Sequence, residues 1–135
     1  MKTHVEFRTD IFPPYDGEEN QINPGIWGKR LAEYLKAKLK ENGINSEDIC
    51  SEDWGYEIPI INGKYPFFLG CANYQEYENG FLVFINPSKP IIRKLFKKID
   101  LTNEINSISE IIDKILSENN EIKNIRWWTE EESKT

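Results

Sequence analysis

A chain of 135 residues can bury one ordinary core but is too short for two. Its formal charge of −6 argues against nucleic acid as the main partner, because phosphate contacts need a net basic face. Acidity of this degree instead favours solubility and attraction to basic molecules. Residues Met1 to Phe7 alternate polar and apolar side chains, where a secretory segment needs an unbroken apolar stretch. No apolar run approaches the roughly 20 residues of a membrane helix, so no membrane partner is expected. Cys50 and Cys71 form no CxxC pair, so both are expected as buried, reduced thiols in a cytoplasmic protein.

In chain order, His4 to Arg8 has period two and predicts a first strand with Val5 and Phe7 inward. Asp10 to Gln21 reads as a loop, broken by Pro13-Pro14 and Asp16-Gly17. Asn23 is placed to cap a helix with Pro24 at its first position. Trp27, Leu31, Tyr34, Leu35 and Leu39 form that helix's apolar stripe, and Asn42-Gly43 supplies its stop.

Trp54 to Ile61 predicts a strand that turns at Asn62-Gly63, a strong hairpin signal, and Tyr65 to Ala72 answers it. Asn73 to Gly80 is a loop. The run Phe81 to Ile85 reads as a central strand covered on both faces. Ile92, Leu95, Phe96 and Ile99 recur at helical spacing and predict a short amphipathic segment, with Lys89, Arg93, Lys94, Lys97 and Lys98 as its solvated side. The same cations admit a sharper reading as an anion-binding or nucleic-acid patch, which the acidity of the whole chain disfavours.

Ile105, Ile108, Ile111, Ile112 and Ile115 mark a second long helix from about Asn103 to Glu118. Glu121 to Thr129 is a last strand in which adjacent Trp127 and Trp128 must point to opposite faces. Glu130 to Thr135 is expected to fray as a polar tail outside a single domain at 1–129. The order β-α-β-β-β-α-β predicts an α+β fold: a mixed, largely antiparallel sheet of about five strands with both helices on one face. The other face then needs the surplus aromatics, or a partner, to cover it.

The chemistry carried by motifs is sparse. There is no GxSxG, GxGxxG or GxxxxGK[ST], and His4 is the sole histidine, so neither a nucleotide cofactor nor a transition metal is implied. A Cys–His nucleophile would need Cys50 or Cys71 beside His4 in an electropositive setting. The stretch SEDWGY offers adjacent carboxylates, Glu52 and Asp53, against Trp54. Glycoside hydrolysis needs two carboxyl groups roughly 5–10 Å apart across one cleft. Neighbours on a strand point apart, so a second acid such as Glu57 or Glu76 would have to join. A small enzyme with a carboxylate-aromatic cleft there is one reading, and an adaptor subunit of a bacterial assembly is another.

The alternative is a binding surface. Tyr74 and Tyr77 lie in a polar loop with Glu76 and Glu78, and one of the rings of Trp127 and Trp128 points to the open face. Aromatic anchors bordered by carboxylates have the composition of an interface for a basic protein. On this reading Glu18, Glu19, Glu52, Asp53, Glu76 and Glu78 steer, while Tyr74, Tyr77 and Trp128 anchor.

The segments NPGIWGKRLAEYL, EDWGYEIPI, FLGCANY, FINPSKPIIRKLF and IRWW resemble those of an uncharacterised bacterial single-domain family over nearly the whole chain. That resemblance brings no assigned chemistry. In size, acidity, cytoplasmic character and α+β build, the chain also resembles small acidic bacterial immunity proteins. That resemblance implies a basic toxin domain as partner.

Overall fold

Alternation along each strand decides which side of the sheet is dry. A computed structural model describes residues 1–61 and 65–134. Its first strand, β1 (Lys2–Arg8), buries Thr3, Val5 and Phe7 on one side and turns His4, Glu6 and Arg8 to the other. Helix α1 (Lys29–Glu41) follows, then β2 (Cys50–Glu52), β3 (Gly55–Ile60), β4 (Phe67–Tyr74) and β5 (Gly80–Asn86). A hairpin of β6 (Ile91–Lys94) and β7 (Lys97–Asp100) precedes α2 (Thr102–Ser117), β8 (Lys123–Thr129) and the single turn α3 (Glu130–Ser133).

The fold is α+β. Six strands pair in the order β2-β3-β4-β5-β1-β8, and β6-β7 pair by themselves. Every pairing among the described residues is antiparallel, so the expected mixed sheet is an antiparallel one. The Asn62-Gly63 turn lies outside the described residues.

One core holds the sheet and helices together. Phe7, Ile58, Leu69, Val83 and Ile85 from the strands meet Leu31, Leu35 and Leu39 of α1 and Ile105, Ile112 and Ile115 of α2. Both stripes foreseen from helical spacing are therefore buried on the same side of the sheet. At Trp127-Trp128 the indoles part company. Trp127 packs against the core and donates to Asp113 of α2 at 2.8 Å, whereas Trp128 lies on the far face.

Four expectations are corrected. Helix α1 begins at Lys29 rather than Pro24, because Gly25 and Gly28 take positive φ (80° and 152°) between them. Gly43, by contrast, ends α1 with φ 83° as expected. The segment 91–100 is a hairpin, not an amphipathic helix. The polar tail is ordered through Ser133: Thr129 and Glu132 form a reciprocal capping box. Finally, Cys50 is exposed, while Cys71 is buried.

Candidate functional site

The site grows from the way the loop before α1 is pinned. Glu18 is fully buried. Its carboxylate accepts from Gly28 N and Lys29 N, each at 2.9 Å, and from Tyr15 N at 2.9 Å. It therefore satisfies free N–H groups at the start of α1, where the helix dipole favours a negative charge. Tyr56, from the SEDWGY stretch, turns its phenol inward to the same carboxylate. Burial first and Glu18 second push the Tyr56 hydroxyl up to about 12. Glu18 is thus withdrawn from the surface and cannot steer a partner, which corrects the sequence expectation.

Asn73, at the end of β4, stitches the same loop to the sheet. Its N donates to Trp27 O at 2.8 Å, its Oδ1 accepts from Trp27 N at 3.0 Å, and its Nδ2 donates to Gly25 O at 2.9 Å. Asn23 Nδ2 donates to Asp53 O at 2.7 Å, and Gln75 reaches Gly25 O. The loop carrying Glu19 is thereby tied to the turn carrying Asp53 and to the turn carrying Glu76 and Glu78. One end of the sheet gathers three of the acidic segments that lie far apart in sequence.

SEDWGY itself is a tight hairpin. Glu52 pairs with Gly55, leaving Asp53-Trp54 as the two-residue turn between β2 and β3. Trp54 does not share a face with Tyr56. It lies on the side away from the helices, 5.0 Å from the Phe84 ring centroid and stacked at 6.4 Å on Phe68. Phe84 in turn stacks on His4 at 5.6 Å. A side-chain carbon on Gly70, directly opposite Phe84 in the register, would overlap that ring, so glycine is what lets it lie across β4.

A second ring group stands beside the first. Tyr74 makes edge contacts with Trp128 at 6.0 Å and lies 6.2 Å from Tyr77. Trp128 and Phe84 are both Cα partners of His4, on its two sides, which joins the groups into one band. Most of these rings are half-buried; Tyr77 is 42% exposed. Among the described residues neither α1 nor α2 packs on this face, so β5, read as covered on both sides, is covered on one side only by neighbouring rings.

The border of the band is mixed in charge. Arg8 lies over Tyr77 at 4.7 Å and Arg126 over Trp128 at 5.3 Å, both as cation–π contacts. Arg126 also pairs with Glu6 at 3.7 Å. Burial holds Glu6 above the usual carboxylate range; Arg126 opposes that shift and Glu76 adds to it. Burial, then Glu76 and Glu6, likewise raise the Tyr74 phenol. Tyr74, Glu76, Tyr77 and Trp128 are thus one neighbourhood, with Glu52 and Asp53 at the other side of the band.

Asp53 occupies the turn, so Glu52 and Asp53 do not face one cleft; the carboxyl group that Glu52 meets is Glu57. Glu57 is raised by burial and then by Glu52. The space beside it is an open trough of about 410 Å³ lined by Glu47, Pro59, Tyr65 and Phe68 among others. Burial pushes the Cys71 thiol up, opposite to the shift that activates a nucleophile. Among the described residues no three His, Cys, Asp or Glu side chains converge as a metal centre requires. No helix among them is long and apolar enough to cross a membrane.

Sequence reasoning missed Phe68, Phe84, His4, Arg8 and Arg126. The signal for Phe84 lay in the glycine at the facing position of β4, which becomes readable only once the register is known. No family model, curated protein or solved structure matches this chain.

Proposed function

We propose that this protein is a non-enzymatic binding module, an immunity protein that occludes a basic toxin domain. The observation that carries the reading is the uncovered sheet face. Trp54, Phe68, Phe84, Tyr74 and Trp128 line it as one aromatic band, and Glu19, Glu52, Asp53, Glu76 and Glu78 lie at the sheet end where it terminates. Rigid rings that lose little entropy on contact suit the centre of an interface, and exposed carboxylates suit its rim. Arg8 and Arg126 hold the outer rings in place by cation–π contact and would meet carboxylates of the partner.

The test is co-purification of the tagged chain from its native host, identification of the partner, and calorimetry on the purified pair. Trp128→Ala and Tyr74→Ala should each weaken binding by about 2 kcal/mol, roughly thirty-fold in Kd. The folded state of each variant is checked by near-UV circular dichroism. An acidic partner, or affinities indifferent to both substitutions, would overturn the reading.

A further inference from the structure

The β6–β7 hairpin breaks three rules of hairpin construction at once. Its two-residue turn is Leu95-Phe96, with φ 49° and 69°. Positive φ at both central positions is the turn that Asn-Gly or Asp-Gly ordinarily supplies, and bulky side chains adopt it under steric strain. Those two side chains are also the most exposed large apolar groups among the described residues, Leu95 at 84% and Phe96 at 108%. Behind them Lys94 faces Lys97, and Arg93 faces Lys98, so like charges sit directly opposite each other.

The strained turn costs the same in any medium, but one environment relieves the apolar exposure and the charge repulsion and so repays that strain: an apolar medium behind an anionic surface. We infer that the β6–β7 hairpin docks this protein on an anionic lipid bilayer. Leu95 and Phe96 enter the headgroup–acyl boundary, and Arg93, Lys94, Lys97 and Lys98 meet the acidic headgroups. Residues 89–98 hold five of the chain's seventeen Lys and Arg and none of its 23 Asp and Glu. A stable protein–protein contact buries about 800 Å² per partner over some twenty residues, more than an apex of six side chains offers. A bilayer needs only a few apolar anchors and a cationic collar.

The base of the hairpin is fixed. Ile92 and Ile99, cross-strand partners, pack against the core, and Leu101 N donates to Pro90 O at 2.6 Å. Lys94 lies 5.9 Å from the ring centre of Tyr65, which precedes β4. The hairpin therefore belongs to the end of the sheet opposite Asp53 and Glu76, and docking would leave the acidic end facing solution. The nearest run of acids by topology is α3. There Glu130 accepts from Ser88 and pairs with Lys134, and Glu132 caps its own turn. The proposal stands independently of the toxin-binding reading.

The experiment is co-sedimentation of the whole protein with vesicles of phosphatidylcholine alone, and with about one-third phosphatidylglycerol, at about 0.1 M salt. Binding should be at least about ten-fold tighter to the anionic vesicles. Leu95→Asn combined with Phe96→Gly restores the residues this turn prefers, so it should fold as well or better while losing most of the binding. Lys94→Gln with Lys97→Gln should weaken binding about ten-fold or more. Phe96→Trp should show a blue-shifted emission change on anionic vesicles.

Equal binding to both vesicles would overturn the proposal, as would full retention by the Asn-Gly variant. A concentration-dependent dimer abolished by the Asn-Gly variant would assign the apex to a second copy of the chain and overturn it likewise.

Discussion

At the scale of one residue, Glu18 shows how position changes what a charge does. In sequence it is one of several acids in a polar loop; in the fold three backbone N–H groups and the Tyr56 phenol converge on it. Removing it strands buried donors, each costing about 1–3 kcal/mol when unsatisfied. Glu18→Ala should therefore lower unfolding free energy by about 3 kcal/mol in urea titration, and Glu18→Gln by less, since an amide oxygen still accepts. Partner affinity of the surviving folded fraction should be unchanged. A loss under about 1 kcal/mol in Glu18→Ala would mean that the loop is held by Asn73 alone.

Elements explain which parts of the fold could be read in advance. The α2 stripe and the β1 alternation were legible because each repeats over a whole element against one core. Strand β2 was not, since Cys50, Ser51 and Glu52 are all exposed and carry no alternation. The hairpin at 91–100 imitated a helix for a geometric reason. Ile92 and Ile99 flank Leu95 and Phe96 symmetrically, so their spacing matches helical periodicity although the pair meets across two strands. At α1, Asn23-Pro24 had the form of a helix start, but the carboxylate that meets the free N–H groups comes from Glu18, ten residues before Gly28. Local capping patterns extend three residues and cannot reveal such a partner. The acids of the candidate site were legible as clusters; their convergence through Asn23, Gly25 and Asn73 was not.

The β2–β3 hairpin also carries a pH dependence. Burial and Glu52 raise Glu57 above its ordinary value, so the folded state holds that proton more tightly than the unfolded chain. Below the unfolded value both states are protonated and no penalty exists. As pH rises through the ordinary glutamate range to the raised value, the folded state loses stability, and the whole penalty is present at neutral pH. Glu57→Gln should accordingly raise the melting temperature at pH 7 and leave it unchanged near pH 4. A variant no more stable than the parent at pH 7 would show that neither burial nor Glu52 penalises the charged Glu57 carboxylate in the folded state.

Over the whole molecule, one end of the sheet gathers acids from three segments, and the other carries the cationic hairpin beside the acids of α3. Asp53, Glu76 and Glu78 stand at the end where β5 begins, and the cationic hairpin follows the end where it stops, seven residues away. That is roughly 20 Å, more than twice the Debye length of about 8 Å at physiological ionic strength. On the proposed function, the acidic end would therefore act on an approaching basic partner with little cancellation from the hairpin. Its contribution should appear in the association rate, where long-range fields act, rather than in dissociation, which the rings control. Combining Glu19→Gln, Glu52→Gln, Asp53→Asn, Glu76→Gln and Glu78→Gln should slow association about ten-fold at low salt in stopped-flow mixing with the identified partner. The rates of parent and variant should converge near about 0.5 M salt, with dissociation altered by no more than about two-fold. Should dissociation absorb the change instead, these carboxylates are contact groups; should neither rate move, the partner lands elsewhere on the molecule.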